Sequence, residues 1–142
     1  MHIIRCSQNQ RLSPLPKSKF YYGCTVRRVI DGDTIDVDAD LGFDVSIKLR
    51  LRLAGINTPE TRTRNKVEKI FGLAATKFLK SALEEADSLE FESHDRGKFG
   101  RVLATPFIIK GEDRVDVCQL MIREGHAREY HGGKREAWIK ES

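Results

Sequence analysis

Two stretches of strict alternation flank one short turn, and together they commit this part of the chain to β structure. Ile35, Val37 and Ala39 interleave with Asp36, Asp38 and Asp40, Leu41-Gly42-Phe43-Asp44 turns the chain, and Ile47, Leu49, Leu51 and Leu53 then interleave with Lys48, Arg50 and Arg52. A period of two puts the apolar residues of each segment on one face and the charged ones on the other, so each strand covers a core with one side and meets water with the other. On this reading Asp36, Asp38, Asp40, Lys48 and Arg50 are solvated, and Arg52, taken alone, is one more surface charge on the same face.

The neighbouring segments extend the pattern. Phe20 to Ile30 carries Tyr21, Tyr22, Val26 and Val29 and suits a strand, with Asp31-Gly32 as the turn that follows. Phe71, Ala75, Phe78, Leu79 and Ala82 fall on one face of a helix. Ser88 to Ser93 and Arg101 to Ile109 read as two more strands. Asp116, with Gln119 three residues on, resembles a capping box that opens a helix through Val117, Leu120, Met121 and Ile122, and Gly125 is its stop. A tail helix is expected from about Lys134 to Lys140, with Trp138 packed back on the body. Three strands, a helix, two strands and then helices is the order of a mainly β, α+β fold: an OB-fold five-stranded Greek-key barrel with about three helices. The length of 142 residues fits one domain with a real core. Residues 1–19, polar and broken by Pro14 and Pro16, read as a flexible arm ahead of a domain spanning 20–142.

Composition narrows the function classes. No apolar run approaches a membrane span, and the start, Met1-His2-Ile3-Ile4-Arg5, lacks the apolar core of a secretion signal, so a cytoplasmic monomer with no membrane partner is expected. Cys6, Cys24 and Cys118 show neither pairing nor metal-ligand spacing and read as reduced thiols. The net charge of +4 is compatible with a polyanionic partner. Within this basic chain, acids gather between Asp31 and Glu60.

Several residues there could carry chemistry. Asp33 shares parity with Ile35 and Val37 and would point inward, where a carboxylate needs a cation or donors. Gly32 permits a bend that brings it to a barrel rim instead; the bland alternative is a turn Asp capping its own backbone. Pro59 ends the third strand and stiffens the exit, which could hold Glu60 near the strand ends. Asn57 offers a side-chain carbonyl and Thr58 a backbone carbonyl, both acceptable to a hard cation. Arg101 follows a Gly97-Lys98-Phe99-Gly100 turn and alone is a surface arginine. His94, His126 and His131 have no paired nucleophile or ligand, which argues against a histidine-based nuclease.

Taken in order, Asp31-Gly32-Asp33-Thr34, Arg52 before Leu53-Ala54-Gly55, Thr58-Pro59-Glu60 and Phe99-Gly100-Arg101 resemble the thermonuclease family, the staphylococcal nuclease homologues, over roughly Val26 to Tyr130. Val67-Glu68-Lys69 and the segment Met121 to Ala127 add to the likeness. The resemblance implies a calcium-dependent endonuclease of low sequence specificity that hydrolyses phosphodiesters in DNA and/or RNA and leaves 3′-phosphate ends. It implies that one Ca2+ is held by Asp33 and by the backbone oxygen of Thr58. Asn57 stands where the family usually has a second aspartate, so the metal site has one negative charge fewer. Arg52 and Arg101 would clamp the scissile phosphate, and Glu60 would orient or deprotonate the attacking water. Lys98, Phe99 (where a tyrosine often sits) and Tyr130 would contact the substrate, the last as a face for base stacking. The alternative is an OB-fold module that binds nucleic acid without cleaving it. Retention of Asp33, Arg52, Glu60 and Arg101 together favours the enzyme.

Overall fold

The computed structural model describes residues 20–96, 100–133 and 138. The expected arm over 1–19 and most of the expected tail helix lie outside them. Strands β1 (Phe20–Asp31), β2 (Thr34–Gly42) and β3 (Val45–Leu53) form an antiparallel meander. A two-residue strand β4 (Ile56–Asn57) and helix α1 (Lys66–Glu84) follow, then β5 (Ser88–Arg96), β6 (Val102–Lys110), β7 (Asp113–Asp116), α2 (Val117–Arg123) and β8 (Arg128–Glu129). Strand β1 pairs with β5, β5 with β6, and a parallel contact of β3 with β6 closes the circle at Leu51–Val102, Arg52–Leu103 and Leu53–Ala104. The result is the five-stranded OB-type barrel that the order of elements implies.

Two small pieces have no counterpart in the sequence reading. Strand β7 adds to the outer edge of β6, and β4 pairs with β8 as a separate ribbon. Two-residue strands carry no periodicity that a sequence pattern could show. Among the described residues there are two helices. Trp138 does lie against the body: the Arg128 guanidinium sits 4.1 Å from its ring centre and donates to its carbonyl at 3.2 Å.

The hairpin's alternation builds the core. Ile35, Val37, Ala39, Leu51 and Leu53 are fully buried, together with Phe91, Ala104, Val117 and Met121. Because β3 meets β6 only over its last residues, the other end of the hairpin runs past the closed barrel, and Leu41, Val45 and Ile47 stay exposed despite their apolar parity. Helix α2 starts as expected, with the Asp116 carboxylate accepting from the Gln119 N–H at 3.0 Å, and Gly125 takes the left-handed φ of 79° that ends it.

Helix α1 departs from expectation. Its buried stripe is Gly72, Ala75, Leu79 and Leu83, while Phe71 is 53% exposed. The cause is close approach. A Cβ added to Gly72 would lie 2.6 Å from the Glu60 carbonyl oxygen, so the helix meets the β4–α1 connection backbone to backbone at that glycine. The contact face turns toward position 72, and Phe71 faces out. Gly32 serves the same packing. It does not take a left-handed φ; a Cβ there would lie 2.9 Å from the Ala75 Cβ and 3.1 Å from Thr58 Cγ2. The turn is glycine because a helix crosses it.

Cys24 and Cys118 are free thiols, and burial pushes each up to about 12. At pH 8 both should therefore resist iodoacetamide in the native protein and react once it is unfolded in urea, as read by peptide mass spectrometry. Gly32→Ala overpacks the contact with Ala75 and Thr58 and should lower stability by about 1–3 kcal/mol in urea unfolding.

Candidate active site

Three chain crossings meet at one end of the barrel. The β1–β2 turn supplies Asp31 and Asp33. Strand β3 ends there with Arg52, whose backbone sits between Thr34 on β2 and Leu103 on β6. The Leu53 N–H donates to the Asp33 carbonyl at 2.8 Å, which ties the turn to the strand end. Thr58, Pro59 and Glu60 leave β4 toward α1, and Arg101 precedes β6. Asp31, Asp33, Arg52, Thr58, Glu60 and Arg101 all line one cavity of about 110 Å³.

Asp33 is buried, and its carboxylate is fully engaged. Oδ2 accepts from Thr58 Oγ1 at 3.1 Å and from the Thr58 N–H at 3.3 Å, Oδ1 accepts from Thr34 Oγ1 at 3.0 Å, and Arg52 Nη2 stands 3.5 Å from Oδ2. These are the donors and the cation that a buried carboxylate requires. The β1–β2 turn places it at this end of the barrel, though Gly32, expected to permit the bend, serves the packing of α1 instead.

Arg52 is the main correction. Alone it reads as solvated, yet it is only 7% exposed. Its parity is as expected, away from Leu51 and Leu53. The barrel closes at this residue, however, and the segment after β8 crosses beside it, tied down by the Tyr130 N–H to the Gly55 carbonyl at 2.8 Å. Arg52 Nη1 donates to the Leu53 carbonyl at 2.8 Å, which fixes the guanidinium. Other arginines of the sheet behave otherwise. Arg50 hydrogen-bonds Asp36 at 2.7 Å and holds that carboxyl below the usual range, and Arg27 pairs with Asp38 at 3.4 Å. Those acids belong to the outer face, as expected.

Asn57 is buried in β4, paired with Arg128, and its Oδ1 has no hydrogen-bond partner among the described residues. A buried carbonyl left in that state costs about 1–3 kcal/mol. Asp33 and Thr58 line the small cavity, whereas Asn57 is not among its lining residues; the Asp33 carboxylate and the Thr58 backbone carbonyl are oxygens of the kind a hard divalent ion takes. No group of three or more His, Cys, Asp or Glu side chains suited to a metal occurs among the described residues. Such a site would therefore depend on carbonyl and water oxygens as much as on carboxylates.

A second, larger cavity of about 780 Å³ shares Arg52 and Arg101 with the first and is also lined by Arg96, Tyr130 and His131. Tyr130, expected to face substrate, does line this groove, with its hydroxyl donating to the Gly133 carbonyl at 2.9 Å. Lys98 and Phe99 lie outside the described residues. Arg96 has no role in the sequence reading, which set His131 aside for lack of a paired ligand; His131 rests over Gly55, where an added Cβ would be 3.3 Å from its ring. Nothing in their local pattern marks them, because the groove is built by strands distant in sequence. Asp31 stood within a quoted motif without a role, and here it lines the cavity and accepts from Thr61 Oγ1 at 2.7 Å.

Known proteins share much of this sequence. The chain is 39% identical over 104 residues to a thermonuclease of Staphylococcus intermedius and 35% identical to one of Staphylococcus hyicus, in each case over 72% of this chain and 56% of the relative. It is 27% identical over 133 residues to the endonuclease Htp3 of Saprolegnia parasitica, across 84% of this chain and 63% of that one. The chain thus spans little more than half the length of the two staphylococcal relatives. The pattern of the staphylococcal nuclease homologues matches residues 50–140, which include Arg52, Asn57, Thr58, Glu60 and Arg101, and this chain belongs to that family.

Proposed function

We propose that the protein is a calcium-dependent endonuclease that hydrolyses phosphodiester bonds in DNA and/or RNA with low sequence specificity and leaves 3′-phosphate ends. The observation that carries this reading is the convergence of two guanidiniums, Arg52 and Arg101, with Asp33 and Glu60 on one small cavity. Staphylococcal relatives named as thermonucleases support it.

Each residue has a definable task. Asp33, Asn57 Oδ1 and the Thr58 carbonyl would hold the calcium ion, which when bound lowers the cost of forming hydroxide and offsets phosphate charge. Thr34 and Thr58 keep the Asp33 carboxylate oriented. Arg52, fixed by its bond to the Leu53 carbonyl, and Arg101 present planar donors to the non-bridging phosphate oxygens, where charge grows in the transition state. Glu60 directs the attacking water, as base or by position. Water oxygen bonds to phosphorus and loses a proton, the bond to the 5′ oxygen breaks, that oxygen takes up a proton from solvent and leaves as a hydroxyl, and the phosphate stays on the 3′ side. A module that binds nucleic acid without cutting it is the second reading, and the charge missing at Asn57 is the observation in its favour.

Single-stranded DNA should be cut with calcium and left intact in EDTA, and Glu60→Gln should lower kcat by roughly 10²–10⁴-fold. Cleavage that persists in EDTA, or full activity in the variant, overturns the mechanism, and binding without cleavage under every metal condition selects the second reading. Calorimetry gives a further check. Asn57→Asp adds a charged ligand and should tighten calcium binding by on the order of tenfold, whereas an unchanged affinity removes Asn57 from the metal.

A further inference from the structure

Glu60 sits in a connection without regular structure, between β4 and α1, and its use as a water-directing carboxylate demands a fixed backbone. That backbone is held by helix α1. The Glu60 N–H donates to Glu68 Oε2 at 3.0 Å. A Cβ on Gly72 would lie 2.6 Å from the Glu60 carbonyl oxygen, so the other side of the residue rests directly on the helix. The next residue is tied as well, through Thr61 Oγ1 to Asp31.

Glu68 bonds Glu60 rather than the cap of its own helix. Asn65 caps α1, its Oδ1 accepting from the Val67 and Glu68 N–H groups at 3.0 Å each. Glu68 is then the third residue of the helix, and in a capping box that side chain bonds back to the cap's own N–H. Here the Asn65 N–H donates to Thr63 Oγ1 at 3.2 Å instead. The Glu68 carboxylate is left to bridge from the helix start to the connection. Its negative charge in the first turn is also favoured by the helix end, which anchors the bridging group.

We propose that Glu68 is the positioning residue for Glu60: it fixes the peptide of Glu60, a residue that lines the cavity, and acts through the Glu60 carboxylate alone. This rests on the reading of Glu60 given above. The bond needs an acceptor oxygen at full glutamate length and does not need a charge. Glu68→Gln keeps that oxygen. Glu68→Asp keeps the charge and the favourable helix end but draws the oxygen back by about 1.5 Å, one carbon–carbon bond. Glu68→Ala removes it.

With calcium and single-stranded DNA, Glu68→Gln should retain kcat within about threefold, whereas Glu68→Asp and Glu68→Ala should lose on the order of 10–100-fold, all with KM within about threefold. Each variant is assayed at a temperature where circular dichroism shows it folded. Glu60→Gln is run beside them. If Glu60→Gln cleaves like the parent, the reading of Glu60 falls and this proposal with it. If Glu60→Gln is inactive while Glu68→Asp and any folded Glu68→Ala match the parent, the proposal alone is overturned. Equal losses in Glu68→Gln and Glu68→Asp, or a loss in Glu68→Gln by itself, would assign the effect to charge and overturn it too. A loss confined to KM would move Glu68 to substrate binding and has the same consequence.

Discussion

The parallel contact between β3 and β6 is short, and the rest of the site depends on it. It joins strands far apart in sequence through Leu51, Arg52 and Leu53 on one side and Val102, Leu103 and Ala104 on the other. Closing the sheet there buries Leu51 and Leu53 and removes an open edge. The same closure takes Arg52 out of solvent and brings it beside Arg101, which stands at the start of β6. One packing event therefore completes the core and assembles the two guanidiniums. An arginine held by the Leu53 carbonyl and a carboxylate has already lost its rotamer freedom, so little remains to be ordered when a phosphate arrives.

Helix α1 forms the second wall, and two glycines set its distance. Gly32 lets Ala75 approach the turn that carries Asp33, and Gly72 lets the helix touch the backbone of Glu60. Backbone contact of this kind is stiffer than contact between long side chains. It links the two carboxylate-bearing segments to one rigid element. The acids thus occupy a frame made of a turn, a strand end and a helix rather than a mobile loop.

What the sequence revealed and what it hid follow from the range of the forces involved. The hairpin from Thr34 to Leu53 could be read because alternation is local, and every inward residue near the closure is buried as parity requires. The rim position of Asp33 could be read, though Gly32, expected to permit it, serves the packing of α1 instead. The burial of Arg52 could not, since its cover comes from β6 and the segment after β8. Phe71 is exposed for a related reason: helical periodicity favours the larger apolar residue, whereas the packing selects the glycine beside it. Glu68 had only a motif position, and its side chain bonds Glu60 while Thr63 takes the Asn65 N–H. The β4–β8 ribbon, which fixes Asn57, has no sequence pattern of its own.

Under the proposed function, the neutral amide at position 57 bears on the charges around the cavity, although Asn57 does not itself line it. Asp31, Asp33 and Glu60 face Arg52 and Arg101 there, so the protein contributes three carboxylates against two guanidiniums and is left with one net negative charge. Under the proposed function, a divalent ion would turn that into one net positive charge, which a single phosphodiester would balance. With residue 57 at the ion, as the proposed function has it, an aspartate there would take the loaded site to neutrality before substrate binds and weaken its attraction for a phosphate. Asn57 keeps an oxygen for the ion while leaving that attraction in place. On these terms weaker ion binding and stronger phosphate binding come from the same missing charge, so an ion and a substrate phosphate should strengthen each other's binding.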